Sequence, residues 1–108
     1  MALNSNNTFR VAGDGTNYYD FGSASIGSWQ YVSLVFHSTG SVDTYIDGVF
    51  TGSSVLNLLS SVSSMPLEVG DIFTGGCVGC IEPFNGLVDN IETWDIALSP
   101  SDLSLIHI

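Results

Sequence analysis

Two acids three positions apart, Asp89 and Glu92, are the nearest this sequence comes to a reactive carboxylate pair. Glycoside hydrolysis needs two carboxyl groups aimed at one bond, roughly 5–10 Å apart. Asp89 and Glu92 lie in residues 84–96, a run whose apolar residues suit a strand. Successive side chains of a strand face opposite ways, so a spacing of three separates the two carboxylates. The positions that share a face with Asp89 hold Leu87 and Ile91, not a second acid. Hydrolysis is therefore not expected, and the chain reads as non-enzymatic. Ser-His-Asp chemistry is no better supported. His37 closes a strand-like run, and no Gly-x-Ser-x-Gly elbow is present.

Taken singly, Asp89 should point towards the core or a sheet rim, because it alternates with Leu87 and Ile91. A buried carboxylate costs several kcal/mol, roughly, unless it is paired, hydrogen-bonded or metal-bound. With no Lys and only Arg10 for a partner, the options are loop N–H groups or Ca²⁺. A structural, hydrogen-bonding Asp89 ranks ahead of a Ca²⁺ ligand. Asp71, after Gly70, is a further conceivable metal ligand, with a solvated loop acid as the plainer reading. Asp47 is sufficiently explained as a turn residue.

Cys77-Val78-Gly79-Cys80 has the spacing of a redox motif or of half a zinc site. It sits between Gly75-Gly76 and Glu82-Pro83, in a loop, with no second cysteine pair to complete four zinc ligands. A local disulfide between Cys77 and Cys80 ranks first, two free thiols second and redox catalysis third. Tyr18 and Tyr19 alternate faces with Phe21, so one of the two tyrosines is exposed. An exposed ring beside Asn17 and Asp20 suits carbohydrate contact, although a surface Tyr is common. Trp29 and Trp94 are expected in the core or at its rim rather than as sugar platforms.

These side chains must be positioned by strands. Clusters of Gly, Ser, Asn and Asp punctuate short runs rich in Val, Ile, Tyr, Phe and Thr. Residues 8–11 and 17–21 flank Gly13-Asp14-Gly15 as a hairpin. Residues 29–37 form the strongest strand, with apolar groups on both faces and hence a central place. Residues 41–46 and 49–54 flank Asp47-Gly48, a strong hairpin signal. Leu67-Glu68-Val69-Gly70 is a short strand, 71–83 a long loop and 84–96 another strong strand. Ser99 should cap a short helix that starts at Pro100, with Asp102 favouring its dipole. About eight short strands at this spacing indicate an all-β antiparallel sandwich.

Composition narrows the partners. The 108 residues carry eleven acids, one Arg and no Lys, for a formal charge of −10. No basic patch can form, which argues against nucleic acid and anionic membranes. The same charge leaves carboxylates for Ca²⁺, or serves solubility alone. Apolar runs are short and interrupted, so membrane insertion is not expected. Residues 1–27 lack the basic start and apolar stretch of a secretory signal, so the chain is expected to be an internal piece of a longer protein.

Several groups, in order, resemble the laminin-G-like (concanavalin A-like) jelly roll, in its pentraxin-related branch. They are Trp29 with Val32-Ser33-Leu34-Val35, then Tyr45-Ile46-Asp47-Gly48, then Leu67-Glu68-Val69-Gly70, Phe84-Asn85-Gly86-Leu87-Val88-Asp89-Asn90-Ile91, Trp94 and Ala97-Leu98-Ser99. They cover about residues 28–102. The resemblance implies a two-sheet jelly-roll sandwich, of which residues 1–108 form a single-domain fragment, its C-terminal two-thirds. It also implies that sheet edges are covered by oligomerisation or by chain outside this sequence. Such domains bind carbohydrate, protein or surface ligands, often beside Ca²⁺, as extracellular modules of larger proteins. The resemblance supplies no fixed ligand residues.

Three functions follow as expectations. The first is an extracellular recognition or adhesion module for carbohydrate or protein ligands, with Ca²⁺ as an optional aid. The second is a structural sandwich on a phage tail, fibre or capsid. The third is an accessory domain of a glycoside hydrolase. Leu103-Ser104-Leu105-Ile106-His107-Ile108 also reads in frame as a translation of the transposon mosaic-end adapter used in sequencing libraries. These six residues are therefore expected to be adapter-derived on a metagenomic fragment. The alternative is a native apolar helix end packed on the sandwich.

Overall fold

Asp47 and Gly48 both adopt positive φ, 53° and 76°, and set a tight two-residue turn. Two consecutive left-handed residues twist a two-residue loop in the sense that the flanking strands need. In this computed structural model, which describes residues 2–3, 6–12, 18–56 and 84–106, the turn joins strands β5 (Ser41–Ile46) and β6 (Val49–Val55). β4 (Val32–Phe36) pairs with β5, giving an antiparallel sheet in the order β4-β5-β6. A second antiparallel sheet holds β1 (Ala2–Leu3), β2 (Thr8–Ala12) and β3 (Tyr18–Ser23) in that order. The sequence pattern does not mark β1. Its two residues are too few to show an alternation.

Cross-strand partners share a face, so register decides which residues meet between the sheets. Phe9 faces Phe21 and Val11 faces Tyr19, and all four turn inwards. On the other sheet Val32 faces Ile46 and Phe36 faces Val42. Val11, Phe21, Val42 and Leu56 are the buried centre, with Phe9, Tyr19, Val32, Leu34 and Ile46 packed around it. The Phe9 and Phe21 rings stack at 5.8 Å, and Tyr19 and Phe21 at 6.2 Å. The sheets approach closely at Gly22, where any Cβ would collide with the Ile46 side chain and φ is +53°.

Thr44 is fully buried beside the bulge that shifts the β5–β6 register. Its hydroxyl donates to the Gly52 carbonyl (3.0 Å), and the Thr51 hydroxyl donates to the Thr44 carbonyl (3.0 Å). The two hydroxyl oxygens lie 2.7 Å apart. These contacts satisfy polar groups that the bulge removes from the ladder.

The opposite face of the β4-β5-β6 sheet carries a second cluster of Val35, Tyr45 and Leu103, flanked by Leu98 and Ile106. Leu103 comes from α1 (Pro100–Ile106). The helix start matches expectation. The Asp102 N–H donates to Ser99 Oγ (3.2 Å), and Asp102 Oδ2 accepts from the Ser99 N–H (3.2 Å) and hydroxyl (2.7 Å). Leu103 is 4 % exposed, and its burial contributes about 2 kcal/mol.

Four expectations change. The strand at 29–37 starts only at Val32, and among the described residues it pairs with β5 alone, so β5 is the central strand. Its two-faced apolar pattern has a different cause: the facing sheet covers one side and α1 covers the other. Residues 84–96 are not a strand. They run irregularly and exposed, and among the described strands none pairs with them. Trp29 and Trp94 accordingly lie outside strands, 66 % and 55 % exposed, rather than in the core. The described residues hold six strands, against about eight expected. The expected strand at 67–70 and loop at 71–83, like the Gly13-Asp14-Gly15 turn, lie outside the described residues.

Candidate functional site

The outward face of β2 and β3 gathers the only Arg of the chain, an acid and an aromatic ring. Register sets Arg10 opposite Asp20 and Tyr18 opposite Ala12, so Arg10 reaches diagonally to Tyr18. Arg10 Nε donates to Asp20 Oδ1 at 2.6 Å and Nη2 donates to Oδ2 at 2.9 Å, a two-pronged pair. The guanidinium carbon lies 3.9 Å from the centre of the Tyr18 ring. A cation over an exposed ring is worth about 0.5–1 kcal/mol. The forked carboxylate thus fixes the guanidinium, and the guanidinium fixes the ring. Tyr18 remains 58 % exposed on this face.

Tyr19 does different work. It stacks on Phe21, and its hydroxyl lies so close to Gly52 that any Cβ there would collide with it. It ties the two sheets together from within. Of the two adjacent tyrosines, Tyr18 is therefore the one open to a ligand and Tyr19 is a packing residue. The composition of the 8–21 stretch shows the alternation, but the Arg10–Tyr18 contact depends on hairpin register. That register follows from reading Arg10 and Asp20 as a cross-strand charge pair.

Asp89 does not turn into the core. It is exposed, and its Oδ1 accepts the N–H of Asn90 at 2.8 Å, while Asn90 takes a φ of 52°. Without the strand there is no alternation to turn it inwards, so the acid stabilises a local bend instead. Glu92 is likewise exposed. Burial raises the Tyr31 phenol above its ordinary range, and the Glu92 charge adds to this. Among the described residues no three of His, Cys, Asp and Glu gather as a metal cluster. Asp71, Cys77 and Cys80 lie outside the described residues.

Asp47 has more to do than shape a turn. Its Oδ1 accepts the Tyr31 N–H at 2.9 Å, and its own N–H donates to the Tyr31 carbonyl at 2.7 Å, fastening the entry of β4 to the β5–β6 hairpin. His37, just past β4, pairs with Asp43 of β5: Nε2 to Oδ2 is 2.8 Å. Hydrogen bonds from Ser53 and then His37 hold the Asp43 carboxyl below the usual carboxylate range. Only the strand register reveals this pairing, since six residues separate the two in sequence.

The chain matches the laminin-G family model of the concanavalin A-like lectin/glucanases superfamily over residues 1–104. No curated protein matches it. A solved S-layer domain-containing protein from Clostridium thermocellum has a similar fold, with a TM-score of 0.63 at 17 % identity. The alignment covers 100 % of this chain and 66 % of that one, so this chain spans just under two thirds of that structure. Paired antiparallel sheets, a shared apolar interior and a family match over nearly every residue agree: the chain belongs to the laminin-G-like, concanavalin A-like superfamily.

Proposed function

We propose that this domain is a non-catalytic recognition module of extracellular type that binds carbohydrate through the outer face of β2 and β3. The observation that carries the reading is the Tyr18 ring, 58 % exposed and held under the Arg10 guanidinium on the outer sheet face. A sugar ring presents C–H groups that pack on an aromatic face, and an orientation fixed in advance lowers the ordering cost of binding. Arg10 and Asp20 beside the ring offer a donor and an acceptor to hydroxyl groups. The S-layer neighbour supports a place at a cell surface as part of a larger protein. With one Arg, no Lys and a charge of −10, nucleic acid and anionic lipid remain poor partners.

An array of neutral oligosaccharides, probed with the wild-type chain and with Tyr18→Ala, tests the reading. Binding that Tyr18→Ala removes supports it. Wild-type binding retained in full by Tyr18→Ala would move the site elsewhere. Calcium assistance is a separate proposal. Asp89 alone does not fit a Ca²⁺ site, because Ca²⁺ takes six to eight oxygens and Asp89 brings one partly engaged carboxylate. The proposal therefore depends on added ligands such as Asp71. A melting temperature raised by excess Ca²⁺ over chelator, with the rise abolished in Asp89→Ala, supports it; an unchanged melt removes it.

A further inference from the structure

On the other sheet a shallow, open depression lies where β4 ends. Phe36 and Ala97 form its apolar part, and His37, Thr39, Ser41 and Asp43 its polar part. Phe36, 48 % exposed, borders the depression from the strand face that it shares with Val42, opposite the face of Asp43. The Thr39 and Ser41 hydroxyls are 3.2 Å apart, and the two side chains of the His37–Asp43 pair are 37 % and 26 % exposed. A carboxylate offers about four lone-pair directions, and the Ser53 and His37 contacts use two of them. When His37 Nε2–H donates to Asp43, its other ring nitrogen is left as an acceptor.

The depression thus combines an aromatic edge, strong acceptors and hydroxyls that both donate and accept. Anions suit it poorly, because its fixed charge is negative and Arg10 lies on the opposite sheet. A neutral ring with adjacent hydroxyls suits it well, since those hydroxyls donate to Asp43 and His37 while their oxygens accept from Thr39 and Ser41.

We infer that the depression formed by Phe36, His37, Thr39, Ser41 and Asp43 is a second ligand site, which takes a neutral hexopyranose. The inference rests on the recognition reading for its ligand class, but it uses a different sheet and different residues. Two rings bound on the two sheets would allow one domain to bridge glycan chains, and the second contact would act at high effective concentration.

The test is titration of the ¹⁵N-labelled 108-residue chain with methyl gluco-, galacto- and manno-pyranoside, following amide and His37 imidazole shifts. The expected result is saturable movement at His37, Thr39, Ser41 and Asp43 with at least one of the glycosides. That movement should weaken at least tenfold in Asp43→Ala, and in Thr39→Val should the first variant unfold. Movement confined to Tyr18 and Arg10 would overturn the second site and leave the first standing. No movement at either face would overturn the second site; the oligosaccharide array then decides the first independently. Displacement of the glycoside signal by methylammonium at equal concentration would also overturn it, because the acid would then be a cation site.

Discussion

The two neighbouring tyrosines show how one step along a strand separates an exposed ring from a packed one. Tyr18→Ala should leave folding nearly intact, with the melting temperature within a few degrees of wild type, because the ring is mostly exposed. Tyr19→Ala removes a ring that stacks on Phe21 and closes on Gly52, and should cost about 2 kcal/mol. That corresponds to a fall of roughly 10 °C in thermal unfolding of a domain this size. Equal effects from the two substitutions would contradict the assigned faces. Asp47 offers a second comparison. Asp47→Ala loses both a residue tolerant of positive φ and the acceptor for the Tyr31 N–H, and should cost about 1–2 kcal/mol. Asp47→Asn keeps both features and should be milder in chemical denaturation. Two acids also set the response to pH. Asp43 and Asp102 both titrate below the ordinary carboxylate range, Asp43 through Ser53 and His37 and Asp102 through Ser99. A carboxylate lowered in the folded state stabilises it above the unfolded pKa, about 4, and that stabilisation disappears as pH falls through the folded pKa. Melting temperature should thus be insensitive to these groups near neutrality and fall below about pH 4, with a smaller fall in Ser99→Ala.

Among the elements, the local signals were the most legible. Asp-Gly fixed the β5–β6 hairpin, and Ser99-Pro100 with Asp102 fixed the start of α1, because each depends on residues within four positions of one another. The alternation of 41–46 gave β5 its bounds unchanged. Residues 84–96 misled because apolar alternation reports what a strand would bury, not whether a partner strand stands beside it. The place of Asp89 failed with that strand, since its facing was inferred from Leu87 and Ile91. β4 misled in part, because its outer apolar face belongs to α1 and a helix over a sheet leaves no mark in the strand itself. Leu103 is the contact that matters there. Leu103→Ala should cost about 3 kcal/mol by emptying the space against Val35 and Tyr45. A loss below about 0.5 kcal/mol in urea unfolding would mean that α1 does not dock as described.

At the level of the whole molecule, two three-stranded sheets among the described residues enclose one core between them and a smaller one lies under α1, while the full chain carries a formal charge of −10. Eleven acids against one Arg repel one another, so added salt should raise the melting temperature, with most of the rise complete once the Debye length falls below about 8 Å. A domain whose charge was neutralised by internal pairs would show no such rise. The family and the sandwich were legible from spaced motifs, and the exposure of one of the two tyrosines from strand alternation, whereas the contact of Tyr18 with Arg10 was not, because the two meet only through the register of β2 and β3. The central claim is that this face binds sugar without altering it. The most direct measurement is calorimetric titration of the chain with the strongest oligosaccharide from the array, repeated with Tyr18→Ala, with the ligand recovered and its length checked. Saturable binding is expected, with a roughly tenfold loss in the variant, about 1.4 kcal/mol, and an intact ligand. Unchanged affinity in Tyr18→Ala, or a shortened oligosaccharide, would contradict that claim.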